Sequence, residues 1–373
     1  MSASQPAGPA ASQGMTTSVH IRQAVATLPA YVPGARPGSQ QVAKLSSNEL
    51  PYPVQEPVLK ALTAAASTVN RYPEMTGEAL VEALAGRYAV DPAQVVVGNG
   101  SVALIQHLLD TVCDEGDDVV LPWRSFEAYP ICIAVAGARA VKVALTPDGR
   151  HDVPAMIAAL TKRTRVVMAC TPNNPTGSAL TRRELCALLD GVPASVLVLV
   201  DEAYLDFVTD PAVGDAMELL EAYPNLVVSR TFSKAHALAG MRVGYLVAQP
   251  EIASAVRSVA TPFGVNLPAQ AAAIAALEPK VLAETARRAG LVAAERDRVV
   301  AALREDGWVV PQAQGNFFWL GVAEATAQLA EHFKAAGILV RPFAGEGVRV
   351  SIGLPEDNDR VLAAARSWDG PRG

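Results

Sequence analysis

The sequence has few of the features that mark specialised classes of protein. Its 373 residues include only 4 cysteines, with no C-x-x-C pair and no zinc-ligand spacing, so neither a disulfide framework nor a zinc site is expected. Charged residues make up only 18% of the chain and the net charge is −6. No run of five basic residues occurs, which argues against binding to nucleic acid. No run of 18 apolar residues occurs either, so we expect no membrane span and no membrane partner.

The N-terminal segment, MSASQPAGPAASQGM, lacks both the basic start and the apolar core of a signal peptide. It is rich in alanine, serine, glutamine and proline, so residues 1–18 are predicted to form a disordered tail. Each cysteine lies in an apolar stretch, which favours reduced, buried thiols. Together these features predict a soluble, cytoplasmic protein.

Half of the residues are hydrophobic, which is enough for a large core. Short apolar runs alternate with helical patterns, for example at 102–112 and 182–189, through residues 46–260. The runs are almost continuously apolar, as in strands buried on both faces of a parallel sheet. Strands are predicted at 95–97, 118–121, 141–144, 165–169, 195–200, 226–229 and 243–248. We therefore expect a large α/β domain over 46–260, with a mostly parallel sheet sandwiched by helices.

The order of elements changes after residue 263. A long helical stretch at 267–306 is interrupted near Glu278 and Pro279, and short strands and one further helix follow it. The strands are predicted at 316–320, 338–341 and 348–352, and the helix at 325–336. This pattern predicts a second, smaller α+β domain built from residues 19–45 and 261–373.

A glycine-rich turn, Gly98-Asn99-Gly100, joins the strand at 95–97 to the helix that follows. Glycines allow close approach of a ligand, and a helix N-terminus offers N–H groups to a phosphate. The spacing also matches the G-x-G-x-x-A pattern of dinucleotide sites. Such a site needs an acidic residue at the end of the next strand, whereas Asp117 and Asp118 stand at its start. An NAD site is therefore disfavoured, while a phosphate site and a plain connection both stay open.

Two further loops follow predicted strands. Asn173 and Asn174 lie after the strand at 165–169, in a stretch that forms either a tight turn or a pair of amide donors. Asp201 follows the apolar run at 195–200, where it is either a helix cap or a buried anion that faces a cationic ligand.

Lys234 stands apart from the other lysines of the chain, of which there are seven in all. It follows the strand at 226–229 among hydroxyl side chains, with Arg230 and Arg242 nearby in sequence. A surface lysine titrates near pH ~10.4 and is a poor nucleophile. A desolvated lysine beside other cations is activated for Schiff-base chemistry. Four strand ends thus offer a phosphate cradle, amide donors, an anion and a reactive amine, which are the parts that pyridoxal phosphate requires.

At these residues the chain resembles the fold-type I aminotransferases and, within them, the histidinol-phosphate aminotransferase family. The resemblance covers the chain from about residue 20 to its end. It rests on YVPG at 31–34, LSSNE at 45–49, NRYP at 70–73, PNNPTG at 172–177, DEAY at 201–204, RTFSK at 230–234, GMR at 240–242 and RVSIG at 349–353.

The resemblance implies pyridoxal 5'-phosphate as cofactor and a role for each matching residue. Lys234 would bind the cofactor aldehyde and move protons during the reaction. Asp201 would pair with the pyridine nitrogen. Asn174 and Tyr204 would hold the phenolate oxygen. Lys234, Asp201 and Tyr204 would thus be the catalytic residues.

The resemblance also implies a phosphate site and a substrate site. The phosphate would be bound by Ser101, Val102, Thr231, Ser233 and Arg242. Phe126 would stack on the pyridine ring, and Arg349 would bind the substrate carboxylate through a bidentate contact. Tyr72 would reach the phosphate of the neighbouring subunit, which implies a homodimer with shared active sites.

The segment around Phe126 resembles the aromatic amino-acid branch, because histidinol-phosphate enzymes often have tyrosine at that position. We therefore expect amino-group transfer between phenylalanine or tyrosine and 2-oxoglutarate, an amino acid and a 2-oxo acid. An aromatic pocket is predicted from Tyr31, Phe126, Tyr129 and Phe263. Asn99, as a donor to an imidazole, keeps the alternative open, a histidinol-phosphate aminotransferase of histidine biosynthesis.

Overall fold

The computed structural model describes residues 42–373 together with Val19, residues 21–26 and Leu28. The predicted tail at 1–18 and the predicted site residue Tyr31 lie outside the described residues. The strands of the described part are β1 (Ala43–Lys44), β2 (Val95–Gly98), β3 (Asp118–Trp123), β4 (Arg139–Ala144), β5 (Thr164–Cys170), β6 (Leu197–Asp201), β7 (Leu226–Thr231), β8 (Gly244–Val247), β9 (Phe317–Leu320), β10 (Ile338–Leu339), β11 (Arg341–Phe343) and β12 (Gly347–Ser351).

Helices lie between most of these strands. They are α1 (Gln23–Ala26), α2 (Glu56–Ala66), α3 (Glu78–Tyr88), α4 (Ser101–Val112), α5 (Ala128–Val135), α6 (Val153–Ala158), α7 (Arg182–Gly191), α8 (Pro250–Val259), α9 (Leu267–Ala276), α10 (Pro279–Glu305), α11 (Thr326–Ala335) and α12 (Pro355–Arg366). Within the described residues, none of them combines the length and the apolar composition that crossing a bilayer requires.

The central sheet has seven strands in the order β2-β8-β7-β6-β5-β3-β4. Its strands are the seven predicted ones, so this part of the prediction is confirmed. Strand β8 is antiparallel to both of its neighbours, while the pairs from β7 across to β4 are all parallel. Because the parallel strands share a direction, their carboxyl ends meet at one edge of the sheet.

Both faces of this sheet are covered, which explains its continuously apolar strands. Val167 and Val198 belong to the core on one face, where α2, α3, α7 and α9 pack. Val166 and Leu199 belong to the core on the other face, with α4, α5 and α8. Successive residues of a strand point to opposite faces, so each strand supplies both cores. The predicted α/β sandwich is confirmed.

Local signals in the sequence explain where several helices begin. Thr181 and Glu184 form a reciprocal capping box at the start of α7. The Asn266 side chain accepts a hydrogen bond from the Ala269 amide at the start of α9. Pro279 is the first residue of α10 and has no N–H to continue α9, which explains the predicted interruption there.

The C-terminal part is α+β, as predicted. Its antiparallel sheet has the order β11-β12-β9 and packs with α11, α12 and part of α10 around a core that includes Phe317 and Phe333. Strand β1 pairs in parallel with β10, which joins the N-terminal segment to this part. The buried alanines of α9, by contrast, belong to the core of the large sheet. The start of the smaller domain at residue 261 stays a prediction. The packing of α9 on the large sheet favours a domain boundary after Ala276.

Candidate active site

A cavity lies at the carboxyl edge of the seven-stranded sheet, where the antiparallel sheet of the C-terminal part closes it. The loops that line it follow β2, β3, β5, β6 and β7, and residues of the 46–47 segment, β11 and β12 complete it. Eleven of the residues predicted for the site line this cavity: Ser101, Val102, Phe126, Asn174, Asp201, Tyr204, Thr231, Ser233, Lys234, Arg242 and Arg349.

The Lys234 side chain is partly buried in the wall of the cavity, and its Nζ donates a hydrogen bond to the Ser47 carbonyl at 3.1 Å. Burial, together with the positive charges of Arg349 and Arg242, lowers the pKa of Lys234 to about 7. Asp201 and Glu49 oppose this shift only in part. At neutral pH much of the population is therefore the unprotonated amine, which is the nucleophilic form.

Asp201 is the last residue of β6 and has an incomplete set of partners. Its Oδ2 accepts a hydrogen bond from the Tyr129 hydroxyl at 2.7 Å. Its Oδ1 is buried and has no hydrogen-bond partner among the described residues. Burial raises the pKa of Asp201 to about 6, although hydrogen bonds from Tyr129 and the Ala203 backbone and the charge of Lys234 lower it. The carboxylate therefore has capacity for a cationic N–H donor.

Asn174 and Tyr204 are held in place by residues from other segments of the chain. The Asn174 Oδ1 accepts a hydrogen bond from Arg349 at 2.6 Å, which leaves the amide nitrogen as the donor end. The Tyr204 hydroxyl accepts one from the Asn48 side chain at 3.1 Å. Asn48 has a positive φ of 52° and is itself fixed by a hydrogen bond from its backbone N–H to Ser351 Oγ at 2.8 Å.

The phosphate end of the cavity is formed by α4 and the loop after β7. Ser101 is the first residue of α4, and Gly100 precedes it with a φ of 83°. This backbone conformation is one that residues with a Cβ atom rarely adopt, and a Cβ atom on Gly100 would also displace the Arg242 guanidinium, so glycine is favoured there. Arg242 donates to the Ser233 hydroxyl at 3.2 Å, and Thr231 donates to the same oxygen at 2.9 Å. Helix N–H groups, hydroxyls and a guanidinium thus converge on one anion-binding space.

Arg349 is buried in β12 and faces the cavity. Its two terminal nitrogens donate to Asn174 Oδ1 and to the Ser46 carbonyl, the latter at 2.7 Å. These contacts fix the plane of the guanidinium, which suits it to bidentate recognition of a carboxylate.

Several predicted residues lie elsewhere. Asn99 does not line this cavity: its side chain donates to the Gly264 carbonyl and lines a neighbouring cavity instead. Tyr72 is 81% exposed and stacks against Phe263, with ring centroids 4.8 Å apart. Of the predicted aromatic pocket, Phe126 lines the cavity and Tyr31 lies outside the described residues. The prediction is wrong for Tyr129, which is buried beneath the site, and for Phe263, which packs on Tyr72 outside it.

The structure also shows roles and residues that the sequence prediction missed. Tyr129 contacts Phe126 edge-on at 5.4 Å and holds Asp201. Asn48 orients Tyr204, and its only sequence signal is its place in the LSSNE motif. Glu127 and Arg341 line the cavity and form an ion pair.

The dinucleotide alternative fails on geometry. Asp118 begins β3, at the amino edge of the sheet, where it accepts two hydrogen bonds from Arg139. Asp118 therefore lies at the edge of the sheet opposite to the glycine-rich turn. Among the described residues, β3 does not end in an acidic residue that could bind the ribose of a dinucleotide.

The family model described as "Aminotransferase class I and II" matches residues 40–365 of the chain. An aromatic amino acid aminotransferase from Thermobifida fusca is 47% identical over 352 residues, which cover 94% of this chain and 97% of that protein. One from Rhodococcus erythropolis is 49% identical over 349 residues, which cover 93% and 96% respectively.

Solved structures of aminotransferases are also similar to this chain. The histidinol-phosphate aminotransferase from Sinorhizobium meliloti, in complex with pyridoxal-5'-phosphate, has a TM-score of 0.86 and 26% identity, and the match covers 95% of this chain and 98% of that chain. A Thermus thermophilus aspartate aminotransferase variant shares the fold with a TM-score of 0.80 at 22% identity, over 93% of this chain and 99% of that chain. The predicted aminotransferase fold type I is thus confirmed.

Proposed function

Because the chain belongs to the class I and II aminotransferases, we propose that it transfers amino groups between phenylalanine or tyrosine and 2-oxoglutarate, with pyridoxal 5'-phosphate as its cofactor. The observation that carries this proposal is the pairing of a partly buried lysine of lowered pKa with a buried aspartate that has an unpartnered oxygen in the same cavity. The relatives named aromatic amino acid aminotransferases support the substrate class.

The residues of the cavity fit this cofactor. The unpartnered Oδ1 of Asp201 suits a protonated ring nitrogen, and the Lys234 amine suits an aldehyde. The convergence of Ser101, Ser233 and Arg242 suits a phosphate. When bound, pyridoxal phosphate supplies an electron sink for carbanion charge at the substrate α-carbon.

The chain's own residues supply the proton transfer, the electrostatic pairing and the orientation of the substrate. Lys234 holds or releases a proton at Nζ, and its pKa of about 7 suits both directions near neutral pH. Asp201 keeps a proton on the ring nitrogen, because the ion pair so formed removes the cost of its buried charge. Arg349 binds the α-carboxylate and orients the α-carbon. Phe126 supplies an apolar surface for a planar ring.

The proposal is tested by comparing kcat/KM for phenylalanine and for histidinol phosphate, with 2-oxoglutarate as acceptor. We expect phenylalanine to be preferred. A preference of about tenfold or more for histidinol phosphate, equivalent to about 1.4 kcal/mol in transition-state binding, would replace the proposed substrate by the alternative.

We also propose that the active unit is a homodimer in which Tyr72 reaches the neighbouring site. Large apolar side chains are exposed near it, namely those of Val69, Met75 and Phe263, as expected of a covered surface. A mixed dimer of Tyr72→Phe and Lys234→Ala chains should contain one site with both native groups. Recovery of activity on mixing, measured at limiting cofactor, is expected. A fully active monomer would refute the shared site.

A cytoplasmic location is proposed on the state of the thiols. All four cysteines lie in the described part of the chain and are free, and Cys132 and Cys170 are buried. Free thiols of this kind are typical of reducing compartments. Fractionation of cells that express the chain tests this proposal.

A further inference from the structure

One carboxylate of the cavity has no part in the chemistry above. Glu127 lies just before α5, and Arg341 is the first residue of β11. Both line the cavity, and an Arg341 guanidinium nitrogen donates to Glu127 Oε2 at 2.5 Å. The cavity is therefore lined by three arginines: Arg242 at its phosphate end, and Arg349 and Arg341 on the side of the C-terminal part. Arg341 is the one that pairs with Glu127.

The two partners of this ion pair differ in their exposure. The Arg341 side chain is only 8% exposed and lies against the Phe343 ring, at 5.7 Å from guanidinium carbon to centroid. The Glu127 side chain is 30% exposed. Glu127 can thus move towards water and be hydrated, whereas Arg341 stays in the wall of the cavity. Removing a counterion from a buried arginine is costly unless another anion replaces it.

A second ion pair connects the same two segments. Arg124, on the loop after β3, binds Glu346, on the turn between β11 and β12. Neither residue lines the cavity. In this pair the arginine lies on the loop and the glutamate on the turn, the reverse of the Glu127–Arg341 pair. It links the two segments without involving Glu127 or Arg341. Opening of the cavity pair therefore does not require the two segments to separate.

The proposed reaction places two kinds of side chain in one cavity in turn. The aromatic amino acid brings an uncharged ring, whereas glutamate and 2-oxoglutarate bring a second carboxylate. Arg349 serves the α-carboxylate of both. If the cavity wall contained an arginine without a counterion, binding of the uncharged aromatic ring would be disfavoured. If it contained no arginine, the second carboxylate of glutamate or 2-oxoglutarate would be left unpaired.

We propose that Glu127 is an internal substitute for the distal carboxylate of the dicarboxylic substrate, an inference that rests on the proposed function. With an aromatic substrate the Glu127–Arg341 pair is closed and the wall is neutral. With glutamate or 2-oxoglutarate, the distal carboxylate displaces Glu127 from Arg341, and Glu127 turns to solvent. Glu127 is thus a specificity-determining residue that sets the balance between the two substrate classes.

The test uses the holoenzyme and two unreactive acids, glutarate and 3-phenylpropionate, whose dissociation constants are measured by calorimetry. Glu127→Gln removes the competing charge and nearly preserves shape. We expect it to tighten glutarate binding by about 10-fold and to weaken or leave unchanged the binding of 3-phenylpropionate. Arg341→Gln is expected to weaken glutarate binding by about 10- to 100-fold more than 3-phenylpropionate binding.

Glu346→Gln is the matched control, because it breaks the parallel ion pair outside the cavity. It should leave the ratio of the two dissociation constants within about twofold of the wild type. Kinetics support the proposal if kcat/KM for 2-oxoglutarate relative to phenylalanine rises in Glu127→Gln and falls in Arg341→Gln.

The proposal is overturned if Glu127→Gln leaves glutarate binding unchanged or weaker, or if Arg341→Gln affects both acids equally. A shift in the Glu346→Gln control as large as that in Glu127→Gln would also overturn it, since the effect would then come from the link between segments. Failure of the proposed function is distinguishable, because it appears as a preference for histidinol phosphate in the wild-type enzyme.

Discussion

Two buried aspartates at opposite edges of the central sheet have opposite electrostatic states. At the amino edge, Asp118 accepts hydrogen bonds from Arg139 at 2.8 and 3.0 Å and from Thr161 at 2.9 Å. At the carboxyl edge, Asp201 accepts one from Tyr129, and its Oδ1 has no partner among the described residues. The hydrogen bonds from Arg139 lower the pKa of Asp118, whereas burial raises that of Asp201 to about 6.

The difference shows that one residue type can have a fully paired carboxylate at one edge of the sheet and an unpaired oxygen at the other. The donors around Asp118 compensate its desolvation, so its charge is stable in the folded chain. The charge of Asp201 is not compensated by the protein alone, and a cationic ligand is needed to complete it. Between these two aspartates, the unpartnered oxygen of Asp201, and not burial itself, is what distinguishes the carboxyl edge.

The largest expected effect is on catalysis. Asp201→Asn should lower kcat by about 10²–10³-fold, because the amide cannot hold a proton on the cofactor nitrogen. Asp118→Asn should leave kcat within about twofold of the wild-type value, since Asp118 lies at the amino edge of the sheet, away from the cavity. Equal losses in the two variants, measured by steady-state kinetics with phenylalanine, would contradict the division between the edges.

The next effect concerns the pH dependence of stability in the cofactor-free protein. Asp201 binds its proton more tightly in the folded chain, with a pKa of about 6, than in the unfolded chain. The contribution of Asp201 is therefore fully present below pH ~4 and is lost as the pH rises through 6, by about 2 to 3 kcal/mol in total. Denaturant titrations from pH 4 to 7 should show that the difference in unfolding free energy between the wild type and Asp201→Asn changes by this amount. The buried Glu202, whose pKa is raised to about 7, contributes equally to both profiles. Parallel profiles would mean that the carboxylate is already compensated.

The smallest effect is on structural stability. Asp118→Asn should lower the free energy of unfolding by about 1 to 2 kcal/mol at pH 7, because charge-assisted hydrogen bonds are lost. The loss is limited because the Arg139 side chain is 68% exposed and stays hydrated. Urea unfolding measures it, and a change below about 0.5 kcal/mol would show that this pair contributes little.

The sequence predicted the strands of the large sheet and most of the site, because the carboxyl ends of buried parallel strands must meet. Lys234 and Asp201 were identified by their places after such strands. The role of Tyr129 was missed because its contact with Asp201 spans 72 residues of sequence and depends on how α5 packs. The helices α2, α3 and α12 were not predicted, since the argument followed the alternation of strands.

Asn99 and Tyr72 show a second limit of the sequence argument. A turn after a strand has two sides, and periodicity does not say which side Asn99 faces; the contact with the segment at 261–265 turns it to the neighbouring cavity. Tyr72 is exposed in the single chain, so its role at a neighbouring site stays a prediction. Asn48 was likewise visible only as part of a motif, because its function depends on contacts with Tyr204 and Ser351.

The central claim, that the carboxyl edge is a pyridoxal phosphate site built on Lys234, is tested most directly by reductive labelling. The holoenzyme is treated with borohydride, digested and examined by peptide mass spectrometry. The account predicts the mass of reduced cofactor on the peptide that contains Lys234, with no label in Lys234→Ala. Label on a different lysine, or a wild-type protein that takes up no cofactor, would contradict it.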